Sequence, residues 1–88
     1  MVAVSQLTCQ QAFAEIGKTN AECARIANVM TRHPYVGFTI EHMVLAAYEK
    51  ANGPIVGVID WQAIIQWLIT NGPAIMQLIM EIISLFGG

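Results

Sequence analysis

Positive charge is absent from the last 38 residues of this 88-residue chain, which hold neither lysine nor arginine. That stretch carries only Asp60 and Glu81 as charged residues, yet it contains nine of the twelve isoleucines and both tryptophans. Charged residues make up 11% of the chain, against about 25% in an ordinary globular domain. Because so few charges are available for a wet surface, we expect another body to cover part of the chain: a copy of itself, another protein or lipid.

The scarcity of charge also excludes some partners. The net charge is −2, and the four basic residues lie in the first fifty positions, where four glutamates balance them. Nucleic-acid binding needs a basic patch that neutralises phosphates, so we expect no nucleic-acid partner. The first residues lack the basic start and the apolar run of a secretory signal. We therefore expect a location inside the cell or within an assembled particle.

Residues that could carry chemistry are few and badly spaced. Cys9 and Cys23 are fourteen positions apart, and His33 and His42 are nine apart, whereas structural zinc sites use short paired spacings. The sequence has neither a nucleophile elbow nor a phosphate-binding glycine loop. We therefore expect a non-enzymatic protein with no catalytic, cofactor or metal site, in which both cysteines are buried free thiols.

Apolar residues recur with helical spacing along most of the chain. This pattern predicts one all-α domain, residues 1–88, built as a small bundle of four to five helices. The predicted helices span residues 5–16, 20–32, 39–51, 61–70 and 74–86. The expected caps are a box from Thr8 to Gln11, Thr19 with Glu22, Thr39 and Asp60, while Pro73 suits the first position of the last helix.

Two connecting segments are predicted to be non-helical. Pro34 ends the second helix and pushes His33 out of the helical region, so residues 35–38 are interpreted as a short aromatic connector. Residues 55–59 form the only β-like run, which we expect to be an extended or loosely helical lead-in to the fourth helix. Gly17 is interpreted as the stop of the first helix.

Residues 55–88 are predicted to be an apolar assembly segment, and residues 1–52 to carry the charged exterior. The tripeptide Asn71-Gly72-Pro73 favours a helical hairpin. However, the polar residues Gln62, Gln66 and Gln77 would stay nearly in phase along one kinked helix, so both arrangements remain open. In either arrangement Gln77, Glu81 and Ser84 form one narrow polar stripe on the last helix.

The last helix is apolar on every side except that stripe. A helix on the outside of one domain buries a single face, so four or five large side chains would remain, worth roughly 6–15 kcal/mol if they were covered. We expect these C-terminal helices to form an oligomer interface, with Gln77, Glu81 and Ser84 either facing solvent or setting its register. The expected interface residues are Trp61, Ile64, Ile65, Leu68, Ile75, Ile79, Ile82, Ile83 and Phe86.

These observations favour a structural subunit of a homo-oligomeric assembly, such as a part of a virion, tube or shell. Its partners would be copies of itself, or another subunit of a larger assembly. The alternative is association with a membrane through residues 55–86, since about 20 residues span a bilayer. Against it stand the break at residues 71–73 and the cost of a charge near the bilayer centre, about 2.5–3.5 kcal/mol.

Overall fold

Five helices follow one another across residues 7–87, the part of the chain that the computed structural model describes. They are α1 (Cys9–Ile16), α2 (Ala21–Arg32), α3 (Pro34–Asn52), α4 (Trp61–Asn71) and α5 (Pro73–Ser84). No strand occurs in that range, so the prediction of a small all-α bundle is confirmed. The predicted start of the first helix at Ser5 lies outside the described residues.

The predicted helix starts at Asp60 and Pro73 are confirmed. The predicted capping box at Thr8 is also present, but it lies at the start of α1 rather than one turn inside the helix. The hydroxyl of Thr8 accepts a hydrogen bond from the N–H of Gln11 at 3.1 Å, and the Gln11 side chain accepts one from the N–H of Thr8 at 3.0 Å. The Asp60 carboxylate accepts from the N–H of Ala63 at 3.1 Å. Pro73 occupies the first turn of α5, where its missing N–H leaves no hydrogen bond unmade.

The predicted cap of the second helix is wrong by one residue. Asn20, rather than Thr19, begins α2, and its side chain accepts from the N–H of Cys23 at 3.1 Å. Thr19 still belongs to the turn that closes α1, because its N–H donates to the carbonyl of Ile16 at 3.1 Å. Asn20 is therefore the first extended residue, with a φ of −136°, and extended backbone is what an N-cap requires.

The aromatic connector at residues 35–38 is also wrong, because these residues belong to α3. A single non-helical residue, His33, separates α2 from α3, with φ −131° and ψ 83°. Pro34 ends one helix and begins the next, since its fixed φ suits the first helical position. Thr39, the expected cap, lies inside α3 and donates to the carbonyl of Tyr35 at 3.1 Å. α3 thus has 19 residues.

All five helices contribute to one hydrophobic core. α1 pairs with α2, α4 packs against α1, α3 and α5, and α5 also packs against α2 and α3. α4 is consequently the central helix of the C-terminal half. The largest fully buried side chains are Phe13, Ile26, Ile40, Ile65, Leu68, Ile79, Ile83, Val29, Val44, Cys9 and Cys23.

α4 and α5 meet at a corner. Their axes differ by 104° across the single residue Gly72, so the pair is neither a gently kinked rod nor an antiparallel hairpin. Before α4, residues 53–60 form no helix or strand, which agrees with an extended lead-in. Gly53 and Gly57 have φ values of 90° and 83°, a backbone region that favours glycine.

Candidate self-association surface

Six of the nine predicted interface residues are covered by the protomer itself. Trp61, Ile64, Ile65 and Leu68 of α4 lie in the core, as do Ile79 and Ile83 of α5. α4 packs against three other helices, so the side of α4 that carries these four residues is not available to a second copy in this fold. Of the predicted interface residues, only three are not fully buried: Ile75 and Ile82 of α5 are half-buried, and Phe86, just after α5, is exposed.

The outer side of α5 and the residues just after it keep a smaller apolar surface. We call it the C-terminal patch and define it as Leu78, Leu85 and Phe86, which are 46%, 82% and 39% exposed. Covering it is worth about 2.5–5 kcal/mol at 1.5–3 kcal/mol per fully buried side chain. This is well below the 6–15 kcal/mol expected from the sequence, and association itself costs on the order of 4–15 kcal/mol. The C-terminal patch alone is a weak contact.

The polar stripe of α5 lies on its exposed side. Gln77, Glu81 and Ser84 are all exposed, as the solvent-facing alternative describes. The Ser84 hydroxyl donates to the carbonyl of Met80 within the same helix at 2.8 Å. Gln77 lines a hollow of about 370 Å³ together with Glu22 of α2, Ile69 of α4 and three other residues of α5. A role in setting the register between copies stays a prediction for these three residues.

A second apolar surface was not predicted from the sequence. Tyr35 is 87% exposed and Phe38 is 66% exposed, both on the solvent side of α3. The prediction of a connector at residues 35–38 gives these two side chains no fixed orientation, so it does not predict this surface. The signal was present: positions 35, 38, 42, 45 and 49 alternate steps of three and four, the spacing of residues along one helix face.

The two surfaces approach each other at the junction of α2 and α3. The ring of Phe86 lies against the ring of His33, with centroids 4.9 Å apart and planes tilted by 48°. His33 directly precedes the first turn of α3, which carries Tyr35. The C-terminal patch and the start of α3 therefore share one end of the molecule.

Residues 53–60 contribute a third, smaller apolar feature. Val56 is 92% exposed and Val58 is 67% exposed. The segment is held at its start by Glu49, whose carboxylate accepts a hydrogen bond from the N–H of Ile55 at 3.1 Å. Two isolated valines bury less area than two aromatic rings, so this segment is the weaker candidate for a contact.

Both cysteines are free and buried, as predicted. Burial raises the pKa of Cys9 from 9.0 to about 12, and the nearby carboxylate of Glu41 adds to the rise. Burial likewise raises the pKa of Cys23 to about 11, with a smaller contribution from Glu22. Thiols with a raised pKa are poor nucleophiles and poor metal ligands because the thiolate is the reactive form.

Residues 7–87 also bear on metal binding and on membrane crossing. In that range no three His, Cys, Asp or Glu side chains are grouped so that they could hold a metal ion. No single helix there is long and apolar enough to cross a membrane, and α4 with α5 reaches the required length and hydropathy only as a bent pair.

Comparisons with models of known protein families, with curated proteins and with solved structures found no match.

Proposed function

We propose that this protein is a structural subunit that assembles with copies of itself. The observation that carries the proposal is the apolar surface left after the core has formed. Seven large hydrophobic side chains remain exposed among residues 7–87, namely Tyr35, Phe38, Val56, Val58, Leu78, Leu85 and Phe86. Only 11% of the chain is charged, so polar neighbours do little to compensate for this surface.

The arrangement of this surface supports self-association. The C-terminal patch and the Tyr35–Phe38 side of α3 lie on different helices, and each is about as large as the few hundred Å² that a monomer ordinarily exposes. Covering Tyr35 and Phe38 adds about 2–5 kcal/mol per copy to the C-terminal patch. Because the two surfaces meet where Phe86 contacts His33, one neighbouring copy can cover parts of both, and a self-complementary contact of this kind closes as a dimer.

Sedimentation velocity without detergent tests the proposal directly. We expect the 9.6 kDa chain to sediment as a larger species at micromolar concentration and to dissociate on dilution. Substitution of both Leu85 and Phe86 by serine is expected to shift the equilibrium towards the monomer. The exposed residue Gln66 on α4 provides the matched control, since Gln66→Ser removes no apolar surface. A wild-type chain that stays monomeric throughout the concentration range contradicts the proposal.

Association with a membrane through residues 55–86 is the second candidate function. It is supported by one observation: α4 and α5 together have the length and hydropathy of a broken span. Insertion would require α4 to leave the core, where it lies among α1, α3 and α5. Carbonate extraction of membranes from cells that make the protein separates the candidates, since a spanning segment stays in the pellet and a self-assembled soluble subunit is released.

A further inference from the structure

The solvent side of α3 has a regular pattern, and its first half lies outside the core. Tyr35, Phe38 and His42 are exposed, whereas Leu45 is half-buried against the core and Glu49 is half-buried where it accepts a hydrogen bond from the N–H of Ile55. The buried residues of α3 are Val36, Gly37, Ile40 and Val44. The opposite side holds positions 35, 38, 42, 45 and 49, which repeat with alternating steps of three and four. That is the a/d spacing of a helix that packs along a second helix. α3 therefore has one face packed in its own core and an opposite face that is exposed from Tyr35 to His42.

We propose that this opposite face of α3 binds the same face of a second copy, with the two α3 helices antiparallel. We call this face the α3 seam and define it as Tyr35, Phe38, His42, Leu45 and Glu49. This inference rests on the proposed function, since it names the contact through which copies associate.

The composition of the seam favours a second copy as its occupant. Glu49, at the end of the seam, is its one charged residue, and between Pro34 and Tyr48 the only charged residue is Glu41, which lies to one side of the seam. A partner with a charged helix would have to bury its charges without a matching group, and burying an unpaired charge is costly. A copy of α3 offers a surface of the same low charge, which is the self-complementarity that an isologous contact requires.

Side-chain size favours the antiparallel direction. The large rings of Tyr35 and Phe38 lie in the first half of α3, whereas small Ala46 lies beside the seam in the second half. Antiparallel pairing puts each aromatic ring opposite the smaller residues of its partner. Parallel pairing would put ring against ring and leave a gap at the alanines, and such gaps lose packing energy.

Charge favours the same direction. Glu49 and Lys50 are the last charged residues of α3, and Arg32 ends α2 just before α3 begins. Antiparallel pairing brings Glu49 of one copy towards the start of the partner's α3, where the helix dipole is positive. Parallel pairing would place Glu49 beside Glu49 and Lys50 beside Lys50 of the partner.

The available area fits a reversible contact. Tyr35 and Phe38 together expose roughly 300 Å² per copy, at about 200 Å² for a fully exposed aromatic side chain. The rest of the seam extends along a helix about 28 Å long, at 1.5 Å per residue. Interfaces that bury less than about 1,200 Å² in total are usually weak, so we expect a dimer that forms and dissociates with concentration.

Sedimentation velocity on two double variants tests the seam. Y35S/F38S removes the two seam aromatics, and V56S/V58S is its control, because the side-chain exposures match closely, 87% and 66% against 92% and 67%. We expect the aromatic pair to weaken association about 30-fold or more, as truncated interface aromatics do, and the valine pair to change it less than threefold. Circular dichroism verifies that both variants keep the helical fold.

Chemical cross-linking tests the direction. Antiparallel pairing brings the two copies of position 42 close together but keeps the two copies of position 50 about 24 Å apart along the helix axis. We therefore expect H42C to be joined into a covalent dimer by a short bismaleimide, and K50C not to be. The native cysteines can stay in place, since Cys9 and Cys23 are 1% and 0% exposed.

The outcomes separate this inference from the proposed function. A monomeric wild-type chain overturns both. A wild-type chain that assembles equally well after Y35S/F38S, or that is weakened equally by both double variants, overturns the seam and leaves self-assembly standing. Efficient cross-linking of K50C indicates parallel pairing and also overturns the inference. A specific loss in Y35S/F38S together with cross-linking of H42C alone is the result we expect.

Discussion

Replacement of Gly17 by alanine is expected to destabilise the fold, although alanine is the better residue for a helix end in the right-handed conformation. Gly17 has φ −60° and ψ −16°, so its conformation does not require glycine. The reason for glycine is steric: a Cβ atom at this position would lie 2.7 Å from the Cα and 2.8 Å from the N of Ala24. Non-bonded carbons prefer about 3.5–4.0 Å, so α1 and α2 would have to move apart.

The magnitude follows from two opposing effects. Overpacking of a tight contact costs about 1–3 kcal/mol, and the loss of glycine's freedom in the unfolded chain returns about 0.4–1 kcal/mol. The net loss is about 1–2 kcal/mol, which lowers the melting temperature by roughly 5–15 °C for a domain of this size. Thermal unfolding followed by circular dichroism measures it, at one fixed protein concentration because self-association shifts the midpoint.

Gly37 provides the matched control, since it is also a helical glycine at a contact between helices. A Cβ atom there would meet the Cβ of Met30 at 3.5 Å, which is an ordinary contact distance. Gly37→Ala is therefore expected to raise stability by about 0.5–1 kcal/mol, the usual gain inside a helix. Equal stabilisation by Gly17→Ala and Gly37→Ala would refute the close approach of α1 and α2 at Gly17.

Three further results are expected from the same unfolding measurements. Asn20→Ala should lower the free energy of unfolding by about 1 kcal/mol because it removes the α2 cap, whereas Thr19→Ala should change it by no more than about 0.5 kcal/mol. A larger loss for Thr19→Ala would indicate that Thr19, as predicted from the sequence, is the cap. Ile79→Ala should lower the free energy of unfolding by about 2–5 kcal/mol because it truncates a core side chain, and Leu78→Ala, at the exposed neighbouring position, should lower it far less. Equal losses for the two variants would contradict the packing of α5. Both buried cysteines have a pKa raised above 9.0, so the folded state holds their protons longer than the unfolded state does. Their contribution to stability is complete below pH 9 and is lost as the pH rises from 9 towards 12; a free energy of unfolding that rises over this range would contradict it.

Local signals predicted most of the fold. Helical spacing, the Thr8 box, the Asp60 cap and Pro73 at a helix start each depend on residues within one turn of each other. The start of α3 was missed because Pro34 was interpreted only as a stop. A proline excludes helical conformation for the residue before it but fits the first helical turn itself, so one proline can serve both helices.

The contact surface could be predicted only in part. The sequence shows that α4 and α5 carry more apolar residues than an outer helix needs, but it does not show which helices lie around them. Ile64 and Leu68 are covered because α1 and α3 pack on α4, a consequence of tertiary arrangement. Tyr35 and Phe38 become a surface only once residues 34–38 are helical. Packing by helices distant in sequence therefore explains why the α4 residues are buried, and the position of the α3 start explains why Tyr35 and Phe38 form a surface.

The helices before residues 53–60 and the helices after them share one hydrophobic core. Residues 53–60 are the longest non-helical connection in the described range, yet the helices before and after it interlock, with α4 against α1 and α5 against α2. A protease that cut this loop would leave two fragments that still hold each other, and neither would keep its shape when made separately. Co-expressed halves should reassemble, which makes this loop a natural point at which to split the gene or to insert a reporter.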